Sequence, residues 1–310
     1  MPETPKLNHP WLVAVWPGMG GVAISAGYYM MAKLGMHLIA EFSPQGLFEV
    51  EYVEVKGGLI RTGPLPRNRW FAWTDPEGKR DIVVFIGEAQ PPVGKYAFCR
   101  NLVEYGRQLG VERVFTFAAM ATEMHPEHPS RVFGAATDKD GLDELKRLEI
   151  ELLEDGQIGG LNGVLLGAAA EGSICGTCLL GEMPHIFAHL PFPKASLAVL
   201  EVFKTIAGIQ IDMTELSEQA RIMEQRLGEV LAQVEESLEQ RPLAMEQEPG
   251  MPSPEERKLH PDDEERIEQL FEQAQRDRSK AYELKRELDR LGVFKDYEDR
   301  FLDLFRKSGT

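Results

Sequence analysis

Continuous apolar runs alternate with segments of helical periodicity over the first two thirds of the chain. Residues 11–16 and 111–119 have the nearly unbroken apolar character of strands that are buried on both faces. Residues 96–109 and 196–207 have the spacing of helices instead. Because strands that alternate with helices form parallel sheets covered on both faces, the pattern predicts a three-layer α/β domain over residues 1–212. Its sheet is expected to be mixed but largely parallel.

Residues 158–182 combine three kinds of pattern in one short stretch. A Gly-rich turn is followed by a helix of small residues and then by a short apolar strand. The Ala and Gly side chains leave little bulk between such a helix and the sheet, so we expect the two backbones to approach closely. The stretch therefore predicts one complete winding of the α/β layer, around which the rest of the domain is arranged.

The pattern changes at Thr214, where apolar residues begin to recur at steps of three and four. This stripe predicts a long helix over residues 213–240. Residues 241–261 are rich in proline and have no apolar period, which is typical of a flexible linker. Residues 262–310 form a second helical segment, whose stripe Asp277 interrupts. The stripes have to be buried against each other, against the α/β domain or against another subunit, and we favour the last of these interpretations.

The charge of the chain narrows the classes of partner. There are 34 Lys and Arg residues against 50 Asp and Glu residues, which gives a formal net charge of -16. Nucleic acid is not an expected partner, because phosphate contacts need a basic face. The sequence has no apolar run of about 18 residues or more and no signal-peptide pattern, so we expect a cytoplasmic protein without a membrane partner. Three cysteines suit a reducing compartment.

A glycine-rich turn follows the first predicted strand. Gly18, Gly20 and Gly21 match the start of a dinucleotide-binding fingerprint, in which glycines admit a pyrophosphate to the following helix. In that interpretation, Glu41 at the end of the next predicted strand would bind a ribose. Pro17 departs from the fingerprint, and no later segment repeats it cleanly. A backbone nest for a smaller anion, such as phosphate, and a plain tight turn are the alternatives.

Two short motifs could be metal or redox sites. Cys175 and Cys178 form a C-x-x-C pair, but the pair lies within a predicted strand, where residues three apart point to opposite faces. A redox pair would also need its first cysteine at the N-terminus of a helix. His125 and His128 lie in a proline-rich loop. We therefore expect buried core cysteines, a solvent-exposed histidine loop, no metal site and no cofactor.

Acidic residues lie at the ends of three predicted strands. Because parallel sheets bind ligands at the carboxyl ends of their strands, these acids could line one crevice together with the Gly-rich turn. Acids beside an anion nest would suit ribose hydroxyls and phosphate, as in nucleoside cleavage, whereas solvated turns or helix caps are the alternative. No residue is given a catalytic role. The candidate crevice consists of Gly18, Gly20, Gly21, Glu88, Glu123, Asn162 and Glu182.

Four motifs occur in an order that resembles one family. They are PGMG at residues 17–20, GEAQP at 87–91, IGGLNGVLL at 158–166 and CLLGEMP at 178–184. In this order and with these intervals, they resemble the proteasome assembly chaperone 2 family, in its uncharacterised bacterial and archaeal branch. The segment YEDRFLDLF at residues 297–305 is also similar to long bacterial members.

The resemblance implies a phosphorylase/hydrolase-like fold, similar to that of purine nucleoside phosphorylases, and self-association as a trimer or a higher oligomer. Family members with an assigned role are chaperones that dock on proteasome α-rings, several of them through a C-terminal hydrophobic-tyrosine-any ending. This sequence ends in Lys307, Ser308, Gly309 and Thr310, so docking by that route is not expected.

These observations lead to two functional expectations. The first is a non-enzymatic, self-associating protein that acts through protein–protein contacts with a protein client. The alternative is a nucleoside- or phosphate-binding enzyme, of the hydrolase or phosphorylase kind, with its site at the C-terminal edge of the sheet.

Overall fold

A mixed eight-stranded sheet forms the centre of the molecule. The computed structural model describes residues 6–42, 46–48, 53–63, 65–239, 259 and 261–306. The described strands are β1 (Trp11–Val15), β2 (His37–Phe42), β3 (Val53–Lys56), β4 (Leu59–Thr62), β5 (Asn68–Trp73), β6 (Ile82–Gly87), β7 (Arg113–Thr122), β8 (Val132–Ala136), β9 (Glu151–Leu152) and β10 (Cys175–Pro184). The strand order in the sheet is β2-β5-β6-β1-β7-β10-β8-β9, and β3 and β4 form a separate hairpin.

Helices cover both faces of this sheet. The described α-helices are α1 (Val22–Lys33), α2 (Lys95–Gln108), α3 (Lys139–Arg147), α4 (Gly160–Glu171), α5 (Pro193–Ala207), α6 (Thr214–Glu239), α7 (Pro261–Arg276), α8 (Ala281–Leu291) and α9 (Phe294–Asp303). No helix within the described ranges is both long and apolar enough to cross a membrane. The linker expected at residues 241–261 lies almost entirely outside the described residues, as do the last four residues of the chain.

The four central strands run in the same direction. β6, β1, β7 and β10 pair in parallel, whereas β5 and β8 pair antiparallel to their central neighbours. β2 is antiparallel to β5, so β2 also ends where β6, β1, β7 and β10 end. We call this side of the sheet the C-terminal edge. The predicted α/β fold, with a largely parallel mixed sheet between helices, is confirmed.

The unbroken apolar run at the start of the chain reflects burial on both faces of β1. Trp11, Val13 and Val15 belong to the apolar cluster that α1 and α5 cover. Leu12 and Ala14, between them, belong to the cluster that α2 and α4 cover. Because neighbouring strand residues point to opposite faces, a strand between two helical layers needs apolar residues at every position.

The close approach of helices to the sheet depends on the glycines of β10 more than on the small residues of α4. A Cβ atom at Gly181 would lie 2.6 Å from the carbonyl oxygen of Ala195 on α5. A Cβ atom at Gly176 would lie 2.7 Å from Leu166 on α4. Gly167 of α4 is exposed and has open space around it, so only part of the small-residue pattern serves packing.

The C-terminal helices pack on the outer face of α1. The Tyr28 ring lies edge-on to Phe294 and Phe301, with ring centroids 5.2 and 5.7 Å apart, and Tyr29 lies edge-on to Tyr282 at 4.4 Å. The apolar residues of α7, α8 and α9 are buried in the same cluster as α1. The interpretation that their stripes contact another subunit is therefore wrong, because α1 supplies an aromatic face that covers them.

The helical segment that starts near residue 262 is not one continuous helix, because α7 ends just before Asp277. Its carboxylate accepts hydrogen bonds from the amide and the hydroxyl of Ser279, at 3.0 and 2.7 Å. A short 3-10 turn follows, and α8 begins at Ala281. The apolar stripe is thus divided between α7 and α8, because Asp277 follows the end of α7 and caps the next turn.

Candidate functional site

The glycine-rich turn after β1 is held by bonds within the protein. The Gly20 amide donates to the Ala188 carbonyl at 2.9 Å, and the Gly21 amide donates to the Gly18 carbonyl at 3.0 Å. Both residues have a positive φ, 62° for Gly20 and 60° for Gly21. A Cβ atom at Gly20 would lie 2.5 Å from the sulfur of Met183. The geometry favours the tight-turn alternative, because these two amides are already occupied.

A shallow depression of about 420 Å³ lies beside this turn, lined by residues 18–21 and 188–191. Met19 and Leu190 line it together with the exposed His189, and Ile186 lies two residues before Ala188 of the lining. Met19, Ile186 and Leu190 expose 44%, 53% and 46% of their surface. We call these three residues the apolar rim. Exposed apolar side chains of this kind suit contact with an apolar group.

Glu182 is buried and forms an ion pair with Arg131, whose side chain is 56% exposed. The Arg131 guanidinium donates to its two carboxylate oxygens from Nε and Nη2, at 2.8 and 2.7 Å. The Thr122 hydroxyl donates to the same carboxylate at 2.7 Å. The bonds from Arg131, followed by that from Thr122, hold the pKa of Glu182 below its usual value, against the effect of burial. The carboxylate is therefore committed to groups of its own chain.

We expect Glu182→Gln to lower stability in a pH-dependent way. A carboxyl whose pKa is depressed on folding stabilises the folded state above its unfolded value, near 4.5, and loses that contribution as the pH falls. The stability difference between wild type and variant should therefore be full at neutral pH and shrink below pH 4.5. Urea denaturation of both proteins at several pH values measures it. A difference that stays constant down to strongly acidic pH would contradict the ion pair with Arg131.

Glu88 belongs to a second group of charges, which we call the arginine cluster. Its carboxylate accepts hydrogen bonds from Arg69 Nη1 at 2.5 Å and from the Arg67 amide at 2.9 Å. Arg69, whose side chain is only 2% exposed, also contacts Glu41 and Asp299. Burial raises the pKa of Glu88, and the Arg67 amide opposes this effect. The cluster joins the C-terminal edge to α9.

The other two predicted side chains lie apart from these ion pairs. The Glu123 side chain is 94% exposed, and its carboxylate lies 3.8 Å from Nδ1 of His185. Asn162 is in the first turn of α4, where its Oδ1 is buried without a hydrogen-bond partner among the described atoms. The three predicted acids at the C-terminal edge thus have different surroundings. Glu182 is paired with Arg131, Glu88 belongs to the arginine cluster, and Glu123 is exposed.

Gln90 joins two parts of the candidate crevice and was not singled out from the sequence. Its Oε1 accepts from the Leu161 amide at 3.1 Å, and its Nε2 donates to the Pro17 carbonyl at 3.4 Å. The glycine-rich turn and the start of α4 are therefore neighbours. Arg69 and Arg131 were also missed, because an arginine inside or beside a strand has no distinctive periodicity.

The positions of Cys175 and Cys178 fit a strand, in which residues three apart point to opposite faces. Cys178 is buried and Cys175 is exposed, and Cys99 lies on the buried side of α2. Burial raises the pKa of Cys99 to about 12 and that of Cys178 to about 11, so both thiols stay protonated. Across the described part of the chain, no group of three or more His, Cys, Asp or Glu side chains could hold a metal ion.

Exposed large apolar side chains are concentrated at the C-terminal edge. They lie on the connections that leave this edge, namely Met19 after β1, Phe42 at the end of β2, Val53, Val55, Leu59 and Ile60 in the hairpin, Val93 and Tyr96 after β6, and Ile186 and Leu190 after β10. Elsewhere in the described residues, such side chains are Ile222 and Val230 on α6. We call the first group the apolar edge. An α/β enzyme would place its ligand at this edge.

Comparison with known proteins agrees with this fold. Residues 12–231 match the family model of the PAC2 family. The uncharacterized protein MJ1210 of Methanocaldococcus jannaschii is 33% identical over 244 residues, which cover 75% of this chain and 87% of that protein.

Solved structures give the same result. PbaB of Pyrococcus furiosus, described as an archaeal proteasome activator, is 27% identical with a TM-score of 0.62, and the match covers 75% of this chain and 96% of PbaB. Rv2125 of Mycobacterium tuberculosis, a proteasome-assembly chaperone homologue, shares the fold at 22% identity with a TM-score of 0.63, covering 72% of this chain and 95% of Rv2125. As the four sequence motifs predict, the chain belongs to the PAC2 family.

Proposed function

We propose that this chain is a non-enzymatic, self-associating protein that acts through protein–protein contacts at its apolar edge. The observation that carries the proposal is the exposure of large apolar side chains where a related enzyme fold would bind its ligand. Exposed apolar side chains gathered at one edge of a folded protein commonly mark a site of protein association. The strand-end carboxylates of Glu88 and Glu182 are meanwhile engaged by Arg69 and Arg131.

The names of the relatives indicate the class of partner. PbaB is described as a proteasome activator, and Rv2125 as a proteasome-assembly chaperone homologue. Membership of the PAC2 family supports a protein-interaction role for this chain. We therefore propose a proteasome core particle as the protein client, contacted by the apolar edge. This proposal does not involve docking through the last four residues of the sequence.

Sedimentation velocity over a range of protein concentrations tests self-association. We expect a trimer or a larger oligomer for the wild type. Ile186→Asp puts a charge on the apolar edge and should shift the chain towards monomer, because burying an unpaired charge is costly. Val230→Asp changes a similarly exposed residue on α6 and should not. A wild type that stays monomeric at every concentration would contradict the proposal.

The wild type and the two variants also test whether a proteasome core particle is the client. Binding to an immobilised proteasome core particle is expected for the wild type and Val230→Asp and should be weakened in Ile186→Asp. Nucleosides and phosphate should leave the melting temperature unchanged. A rise in melting temperature that Glu182→Gln abolishes would favour the enzyme alternative, with a ligand bound in the candidate crevice.

A further inference from the structure

The β3–β4 hairpin is an arm that leaves the body of the protein. It lies in the connection between β2 and β5, which are neighbours in the sheet and would need only a short turn. Gly57 and Gly58 form its tip, with φ values of 60° and 77°. Two consecutive residues with positive φ make the tight turn that matches the twist of a hairpin. The arm is thus a preformed element that the sheet itself does not require.

The two faces of this arm differ in character. Val55 pairs directly with Ile60, and Val53 pairs with Thr62, so these four side chains share one face. Glu54 pairs with Arg61, and Lys56 pairs with Leu59, on the opposite face. All eight residues are exposed, and Val55 and Ile60 expose 68% and 72% of their surface. One face is therefore an apolar surface open to solvent.

An apolar face of this kind needs a cover. A two-stranded hairpin is at best marginally stable by itself in water, and among the described residues β3 and β4 pair only with each other. Two such faces packed on each other would bring together only four side chains from each copy. A stable interface buries about 800 Å² on each partner, so the face of the hairpin can supply only part of an interface with another protein.

The chain itself carries a surface of the opposite shape. The depression beside the glycine-rich turn is concave, about 420 Å³ in volume, and lined by Met19 and Leu190 of the apolar rim. Charge also favours a second copy as the partner. The hairpin carries Lys56 and Arg61 against Glu54, whereas the whole chain has a net charge of -16. The two strands and their turn thus carry a net charge of +1, which assists encounter with an acidic copy of the same chain.

Resting on the proposed self-association, we propose that the hairpin of one copy docks through Val53, Val55 and Ile60 on the apolar rim of a second copy. The two surfaces are different patches of the chain, so the contact is heterologous. A heterologous contact leaves one hairpin and one rim free at the ends of every open chain of copies, and it closes into a ring when the rotation permits. The arm therefore determines how copies join.

A pair of single variants tests whether the apolar face of the hairpin makes the contact between copies. Ile60→Asp and Leu59→Asp change the charge equally, but Ile60 lies on the apolar face and Leu59 on the charged face. Ile60→Asp should weaken self-association at least about tenfold in sedimentation equilibrium, while Leu59→Asp should leave it close to wild type. Both residues are exposed, so circular dichroism should show an intact fold. If Ile60→Asp associates like the wild type, the hairpin proposal is wrong although self-association stands.

Mixing two variants tests where the hairpin docks. Ile60→Asp keeps an intact rim, and Leu190→Asp keeps an intact hairpin. At a concentration where each variant is monomeric alone, an equimolar mixture should form a one-to-one heterodimer through the one undamaged contact. Symmetric pairing of hairpins or of rims predicts no such rescue. A mixture that stays monomeric would overturn the hairpin-to-rim contact, and a wild type that never associates would overturn both this proposal and the proposed function.

Discussion

Replacing Arg69 by alanine is expected to lower the free energy of unfolding by about 3–5 kcal/mol. The Arg69 side chain is 2% exposed and contacts Glu88, Glu41 and Asp299. Glu88 is itself only 13% exposed, so the variant leaves a buried carboxylate without its guanidinium partner. Removing one member of a buried ion pair is costly because the other charge stays desolvated. Urea denaturation followed by tryptophan fluorescence measures the loss.

Arg67→Ala is the matched control for this prediction. Arg67 contacts two of the same acids, Glu41 and Asp299, but its side chain is 33% exposed. Ion pairs open to water contribute about 0–1 kcal/mol, so this variant should change stability little. Equal losses in the two variants would mean that burial of Arg69 is not what makes the arginine cluster important.

Replacing Phe301 by alanine is expected to cost about 3–5 kcal/mol. Phe301 is fully buried, and its ring lies 5.7 Å from Tyr28 and 5.5 Å from Phe294. The substitution opens a cavity between α9 and α1, and the surrounding aromatic rings can fill it only in part. Thermal unfolding by circular dichroism measures the shift. Because α1 is also part of the main apolar cluster, a single cooperative transition at lower temperature is the expected form.

The same exchange at Phe42, which is 42% exposed, is the control and should have a clearly smaller effect. A two-step transition in Phe301→Ala would mean that the C-terminal helices unfold separately from the α/β body. Limited proteolysis distinguishes the two outcomes, since separate unfolding would make residues 261–306 more susceptible while the sheet remains protected.

The layer structure could be predicted because burial on both faces leaves a direct record in the sequence. Leu12 and Val13 point to opposite apolar clusters, so β1 is apolar at every position. The fate of the C-terminal stripes could not be predicted in the same way. A stripe shows that a helix has a face to cover, but it carries no information about which surface covers it. Here the cover is Tyr28 and Tyr29, far away in the sequence.

The positions of the strand-end acids could be predicted from the sequence, but the arginines that they contact could not. Glu182 lies near the end of β10, as expected, but its guanidinium partner, Arg131, is 51 residues away in the sequence. Similarly, Glu88 follows β6 and is held by Arg69. Residue type and strand position identify a carboxylate at a sheet edge. Only the tertiary arrangement decides whether that carboxylate faces a ligand or an arginine of the same chain.

The packing of the last helices on α1 has a consequence for biosynthesis. The Tyr28 hydroxyl donates to Glu298, 270 residues further along, and the Leu38 amide donates to the Phe305 carbonyl. During translation, α1 emerges early, whereas the residues that shield its aromatic face emerge about 270 residues later. In a nascent chain, the aromatic face of α1 therefore stays exposed until the ribosome has added residue 305. The covering of α1 has to await the synthesis of α9, and the interval before that step is when the chain is most open to aggregation or to capture by a chaperone.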